Sequence, residues 1–213
     1  MWVYIWTDEW TPWENTIAYY KFNNNLNDSA NSNNLSLSGW AVSFWTASWW
    51  GKYAYFNKST WTGHRTISPN FNVSTLTCMY WRQPKQIFSS WNPLSVWYTT
   101  TANGSGIIVG TVRSVDFWGT SWFSAAVNTW YHLVITCEGW VRKFYVNGAY
   151  YAQDSYSLSG TQATKLTINN AWDTSSSSYS NNNYISELII ENKARTAQEI
   201  SNYYNSTKSK YWL

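Results

Sequence analysis

The chain has 213 residues, of which 12% are charged and 20% aromatic, with 18 tryptophans, 17 tyrosines and only 10 glycines. So little charge excludes an acidic tail or a charge-driven disordered chain, the length suits one sizeable domain, and the aromatics supply ample apolar surface for a core. The net charge of +3 comes from basic residues scattered in pairs (Arg142-Lys143, Lys193 and Arg195, Lys208 and Lys210), without the clustered basic face that nucleic-acid binding requires. No run of about 18 apolar residues exists, so no transmembrane helix is expected. Residues Met1 to Trp13 include Asp8, Glu9 and Pro12 and lack a basic leader, so no signal peptide is visible in them.

Short alternating segments bounded by turn residues predict an all-β sandwich. Thr16–Phe22 is the first predicted strand, and the polar loop Asn23–Asn34 follows it. Strands are then expected at Leu35–Phe44, Lys52–Asn57, Thr75–Gln83, Gln86–Ser90, Ser95–Thr100 and Gly106–Val112. Trp130–Cys137 and Val141–Val146 follow, joined by the Glu138-Gly139-Trp140 turn. Asn147-Gly148 reverses the chain into Ala149–Gln153, because an Asn-Gly pair between alternating segments supplies two positions with φ > 0. Leu166–Asn169 and Tyr184–Glu191 complete the strands. One helix is predicted: Thr196-Ala197-Gln198-Glu199 has the spacing of a capping box, with Ile200, Tyr203 and Tyr204 on one face, and it ends near Lys208. No linker divides the chain, which reads as an N-terminal extension over residues 1–15 and a single domain over residues 16–213.

Cys78 and Cys137 each lie in an apolar strand-like run and read either as two buried free thiols or as a disulfide. His64 and His132 stand far from both cysteines and from each other, so no zinc spacing is present. In the segment Val141–Val146, Arg142 breaks the alternation on the face of Phe144 and Val146, which predicts a solvated strand end or a snorkelling side chain.

Three stretches carry a family resemblance. Ala18–Gly39 (AYYKFNNNLNDSANSNNLSLSG) resembles an opening strand, Asn/Asp-rich loop and second strand; Asn128–Gly148 (NTWYHLVITCEGWVRKFYVNG) resembles paired strands ending in an Asn-Gly turn; Tyr184–Tyr204 (YISELIIENKARTAQEISNYY) resembles a last strand and closing helix. In that order and spacing they resemble the laminin-G-like, concanavalin A-like lectin and glucanase family. The resemblance implies a two-sheet antiparallel jelly-roll sandwich with one short C-terminal helix. It also implies a glycan-binding or adhesion module, outside the cell, on a cell surface or in a virion, with calcium at a loop rim. Its partner would be a glycan or surface polysaccharide, within a larger surface or virion assembly, with neither nucleic acid nor membrane insertion. Asp28 is the first calcium ligand it suggests and Glu187 the second, although Ser186 stands before Glu187 where many members carry Asp. The alternative for the Asn-rich loop is a solvated segment whose side chains cap turns.

Family members also include glycoside hydrolases, which need two carboxyls about 5–5.5 Å apart for retention of configuration. No Glu-x-Asp or Glu-x-Glu pair occurs, and Glu187 and Glu191, on one strand, are separated by roughly 13 Å. A non-catalytic module is therefore expected, with a structural or adhesive particle domain as the alternative. Sugar binding requires an aromatic platform with amides or carboxylates beside it. Trp81, Trp118 with Asp116, and Tyr179 with Asn181 are the candidates.

Several tryptophans stand where a turn favours glycine. Trp49, Trp50 and Trp140 lie between predicted strands, and Trp45, Trp61, Trp91, Trp122 and Trp212 are flanked by small or turn-forming residues. Trp10, Trp13, Trp81 and Trp130 instead occupy positions natural for an aromatic. Glycine enters φ > 0 freely and a bulky side chain does not. One reading is that many of these codons are UGA, written here as Trp and decoded as Gly in the source organism; its rival is a genuinely Trp-rich surface. Recoding predicts that intact mass spectrometry of the native protein gives a value well below 24.8 kDa, and a mass near 24.8 kDa contradicts it.

Overall fold

The computed structural model describes residues 14–39, 42–46, 51–56, 60–62, 65–72, 75–86, 95–101, 104–111, 125–139, 141–155, 162–168 and 182–213. Its strands, in chain order, begin with β1 (Thr16–Tyr20), β2 (Leu37–Gly39), β3 (Ser43–Thr46), β4 (Lys52–Phe56) and β5 (Thr60–Thr62). They continue with β6 (Arg65–Asn72), β7 (Thr75–Gln86), β8 (Ser95–Thr101), β9 (Gly104–Thr111) and β10 (Tyr131–Glu138). The last are β11 (Val141–Val146), β12 (Ala149–Ser155), β13 (Gln162–Ile168) and β14 (Asn182–Glu191), before helix α1 (Ala197–Thr207) and a 3-10 turn, Lys208–Tyr211.

An eight-stranded sheet runs β12-β11-β10-β7-β14-β4-β3, with β1 also on β14, and a four-stranded sheet runs β6-β13-β9-β8. All pairs are antiparallel except β9 with β13, and β2 and β5 form a small separate ribbon. A parallel pair needs a crossover, and here the chain between β9 and β13 passes through β10, β11 and β12 of the larger sheet. The fold is thus the expected β-sandwich with one C-terminal helix.

Alternation along β7 explains the layering. Leu76, Cys78 and Tyr80 point into the main core, together with Leu133 and Ile135 of β10, Ile185 and Leu188 of β14, and Leu166 and Ile168 of β13. Met79 and Trp81 point to the other side of the sheet, yet they too are fully buried. There Met79 packs with Tyr19, Val134, Ile189 and the helix residues Ile200 and Tyr203. Sheet and helix therefore bury both faces of β7, the arrangement that close packing of a half-apolar outer face demands.

β14 supports two different strands along one edge. Tyr184 and Ile185 pair with Tyr55 and Ala54 of β4, whereas Leu188 and Ile189 pair with Tyr20 and Tyr19 of β1. At the hand-over lies Glu187, with φ 49, where the β7 register slips between Ser186 and Ile189. A left-handed residue inserted in one strand is a bulge, and it bends the strand as two successive neighbours require.

The helix start is the predicted capping box. Thr196 Oγ1 accepts from the Glu199 N–H at 3.2 Å, and the Thr196 N–H donates to Glu199 Oε2 at 2.8 Å. Ile200 and Tyr203 are buried as expected, while Tyr204 is half-buried. The Asn147-Gly148 turn has φ of 51 and 77, the two positive values predicted for it. A Cβ on Gly148 would meet the Tyr204 side chain at 2.9 Å, so glycine is also what lets the hairpin tip approach the helix.

Other expectations change. Thr75–Gln83 and Gln86–Ser90 were expected as separate strands, but β7 runs unbroken through Pro84 to Gln86. The Pro84 carbonyl faces Asn128, past the last β10 pair at Arg82 and Tyr131, so its missing N–H breaks no ladder bond there. Strands β5 and β6 had no sequence prediction, and β2 and β3 divide the expected Leu35–Phe44 strand. Arg142 is neither solvated nor snorkelling: it is buried and partnered. Cys78 and Cys137 are free and buried, and burial pushes the Cys78 thiol far above its ordinary range. Trp45 and Trp61 lie in strands, paired with Tyr53 and Ser38, rather than in turns. Trp212, by contrast, ends the 3-10 turn with φ 66, a left-handed position where glycine is favoured. Trp10, Trp13, Trp49, Trp50, Trp91, Trp122 and Trp140 lie outside the described residues.

Candidate functional site

The outer face of the large sheet is aromatic from β4 to β10. The side chain of Trp81, at 0% exposure, stacks on Tyr211 at 4.1 Å between ring centroids and on Tyr204 at 5.7 Å. His132 lies 5.0 Å from Trp81 and 5.3 Å from Tyr203. The predicted role of Trp81 as a sugar platform is therefore corrected: the C-terminal segment covers its ring. Its position on the outer face of β7 was legible from alternation, but the cover folded over it was not.

His132 is fully buried, and neither ring nitrogen has a hydrogen-bond partner. Burial lowers its pKa from 6.5 to about 3, since no anion beside it stabilises the imidazolium. It is neutral in the folded protein at all ordinary pH values.

The two predicted calcium ligands are occupied. Asp28 Oδ1 accepts from the N–H groups of Tyr19 at 2.8 Å and Ala30 at 2.9 Å, and its Oδ2 accepts from Asn33 N–H at 3.2 Å. The amides of Asn31 and Asn33 donate to the Ile17 carbonyl at 2.8 and 3.2 Å. Such bonds fix a loop whose backbone would otherwise be unsatisfied. Glu187 accepts from Lys210 Nζ at 2.9 Å and from the Tyr203 hydroxyl at 3.0 Å. Among the described residues no three His, Cys, Asp or Glu side chains come together for a metal ion. Calcium takes six to eight oxygens, and these carboxylates, turned toward N–H, O–H and ammonium donors, do not fit that demand.

Glu191 is likewise a fastener. It is buried against Arg195, whose Nη2 donates to Oε1 at 2.7 Å and whose Nε donates to Oε2. Glu199 joins Lys193, and that ion pair together with the cap N–H holds its carboxyl down to about 2.

Beside the 3-10 turn the outer face holds a groove of about 720 Å³, lined in part by Tyr211, Trp212 and Leu213. Its aromatic walls are Tyr53 of β4, Tyr184 of β14, Trp130 before β10, Tyr211 and Trp212. Tyr53 lies 4.6 Å from Tyr184 and 5.6 Å from Trp130, and Trp130 lies 4.9 Å from Tyr211. Burial raises the pKa of the Tyr53 and Tyr184 phenols, which keeps them neutral hydroxyls.

Polar groups converge on one rim. Lys85 Nζ sits 4.7 Å from the Tyr184 ring centroid, 2.9 Å from Asn128 Oδ1 and 3.2 Å from Gln83 Oε1. Gln83 donates in turn to the Asn128 carbonyl at 3.0 Å. Asn128 has φ 60, a conformation Asn tolerates, and its N–H donates to the Pro84 carbonyl at 2.7 Å. Trp45, 53% exposed on edge strand β3, pairs across from Tyr53 and so extends the same face.

Among these groove residues, sequence reasoning marked only Trp130 as a natural aromatic position. Gln83 and Lys85 continue the outer-face alternation of Met79 and Trp81, which is the signal that points to them. The candidates Asp116, Trp118, Tyr179 and Asn181 lie outside the described residues.

No family model matches the chain, and no curated protein matches it either. Solved structures do. Domain 4 of AbnA, an extracellular GH43 arabinanase from Geobacillus stearothermophilus solved in complex with arabinotriose, is similar at 17% identity and a TM-score of 0.62, over 88% of this chain and 97% of that one. The binding domain of botulinum neurotoxin serotype D is similar at 14% identity and a TM-score of 0.60, over 90% of this chain and 52% of the toxin domain. A botulinum neurotoxin DC binding domain, in complex with rat synaptotagmin II, is similar at 15% identity and 0.62, over 90% and 51%. This chain spans about half the length of those toxin domains. The likeness is one of fold.

The orphaned imidazole sets a pH dependence with a definite sign. Unfolded His132 takes a proton below pH 6.5 and the folded form resists until about 3, so stability is lost as pH falls through that window. Between pH 6.5 and 4.5 the loss amounts to about 2–3 kcal/mol. Denaturant unfolding of wild type and His132→Phe across that range is expected to show a shallower decline for the variant, which loses no hydrogen bond. Parallel curves would contradict this account of the histidine.

Proposed function

We propose that the chain is a non-catalytic carbohydrate-binding module whose ligand lies in the groove beside Tyr53, Tyr184 and Trp130. The observation that carries this reading is the groove itself: neutral aromatic rings for the apolar face of a sugar, with Gln83, Asn128 and Thr129 along the wall for its hydroxyls. The arabinanase domain of similar fold, solved with arabinotriose, supports a sugar ligand for this architecture. A module of this kind acts outside the cell, on a cell surface or in a virion, as one part of a larger assembly.

The disposition of carboxylates supports a binding role. Glycoside hydrolysis needs a general acid and a second carboxylate flanking the bond. No Asp or Glu is among the described residues lining the groove. Glu187, Glu191 and Glu199 are each held in ion pairs that fasten the C-terminal segment.

Screening on a glycan array, followed by calorimetry on the strongest hit, tests the reading. Tyr184→Ala is expected to weaken binding at least tenfold with the unfolding temperature within a few degrees of wild type. Chelation of calcium is expected to leave both affinity and unfolding temperature unchanged. A blank array, or full binding by Tyr184→Ala, would reject the groove as a sugar site and favour a structural or adhesive role.

A further inference from the structure

Among the described residues lining the groove, one side chain carries a formal charge, and it is positive. Lys85 is the only Lys, Arg, Asp or Glu among its described lining residues. Its ammonium is held from three directions, by the Tyr184 ring at 4.7 Å, Asn128 Oδ1 at 2.9 Å and Gln83 Oε1 at 3.2 Å. All three partners are neutral, so the charge is positioned but not compensated. The scaffold behind it is also fixed. Asn128 is tied to Pro84 and Gln83 by its own backbone and sits in a left-handed conformation that the surrounding bonds hold in place. A long flexible lysine ordinarily loses rotamer freedom on binding; this one has given it up beforehand.

The chemistry of such a site is specific. A neutral sugar can use the rings and the amides and can offer the ammonium a hydroxyl oxygen, but it brings no counter-charge to offset the desolvation. A ligand with a carboxylate on the ring that stacks against Tyr184 supplies the missing counter-charge through a charge-assisted hydrogen bond, about twice as strong as a neutral one. No Asp or Glu side chain stands among the described lining residues to repel it. Resting on the carbohydrate reading above, we propose that the groove selects acidic glycans, a uronate or sialate carboxylate being received by Lys85 while its sugar ring stacks on Tyr184. Lys85 is then the specificity-determining residue, and the rings provide the affinity common to neutral and acidic sugars.

Matched pairs of ligands that differ only in charge give the test. Calorimetry with the full chain would use a hexameric oligogalacturonide and its methyl ester, a hyaluronan hexasaccharide and its methyl ester, and sialyllactose and its methyl ester. The free acid of at least one pair is expected to bind about tenfold or more tighter than its ester, with the advantage shrinking as sodium chloride is raised. Lys85→Gln is expected to erase that difference between acid and ester with the unfolding temperature within a few degrees of wild type; Lys85→Arg is expected to retain it. Equal binding of acid and ester in every pair, or an acid preference that survives in Lys85→Gln, overturns the proposal while the carbohydrate reading stands. Failure of all six ligands together with a blank neutral glycan array overturns both.

Discussion

An apolar outer face on a β-sheet has to be covered, and this chain covers it with its own C-terminus. Met79, Trp81, His132, Val134 and Ile189 project away from the main core, where water would meet them on a bare sandwich. The segment after β14 lies over them, contributing Ile200, Tyr203, Tyr204 and Tyr211. Burying side chains of this size is worth about 1.5–3 kcal/mol each, so the cover is integral to the fold. The acidic residues of β14 follow from the same demand. Glu191 receives Arg195 just before the helix, and Glu187 receives Lys210 just after it, so one strand anchors both ends of the covering segment.

The groove lies beside that cover. The 3-10 turn ends at Tyr211, whose ring closes over Trp81 on one side and meets Trp130 on the other. Beyond it the outer face continues through Tyr53 and Tyr184, and the β7 side chains Gln83 and Lys85 take over from Met79 and Trp81. One aromatic surface is thus divided in two. Under the helix and turn, rings serve packing; past Tyr211, rings of the same kind line a groove with a positioned cation. The bulge at Glu187 stands near this division, since it shapes the strand that carries Tyr184 and fastens the turn that carries Tyr211.

Local chemistry made much of the fold legible in the sequence. The capping box at Thr196 and Glu199, the Asn147-Gly148 turn and the strand Val141–Val146 each depend on residues close in the chain, and the structure has them where expected. The site was harder to read, because its members come from β4, β7, β14, the segment before β10 and the C-terminus. Nothing local distinguishes Trp81, which is covered, from Trp130, which edges the groove; both are aromatics on one face, and the difference lies in where the helix runs. Asp28 misled for a related reason. The family resemblance suggested it as a calcium ligand, but its oxygens accept from the N–H groups of Tyr19, Ala30 and Asn33, as the alternative of a loop with side-chain-capped turns has it. Pairing register also escaped detection: the parallel contact of β9 with β13 arises from a crossover through another sheet, which no short window records.

The central claim is that the groove on the outer face, and not a loop rim, is where ligand binds. A crystal structure of the protein with a bound oligosaccharide tests this most directly. The account predicts a sugar ring stacked on Tyr53 or Tyr184 with polar atoms within hydrogen-bonding distance of Gln83, Lys85 or Asn128. An oligosaccharide bound at the Asp28 loop or elsewhere, with the groove left to solvent, would contradict it.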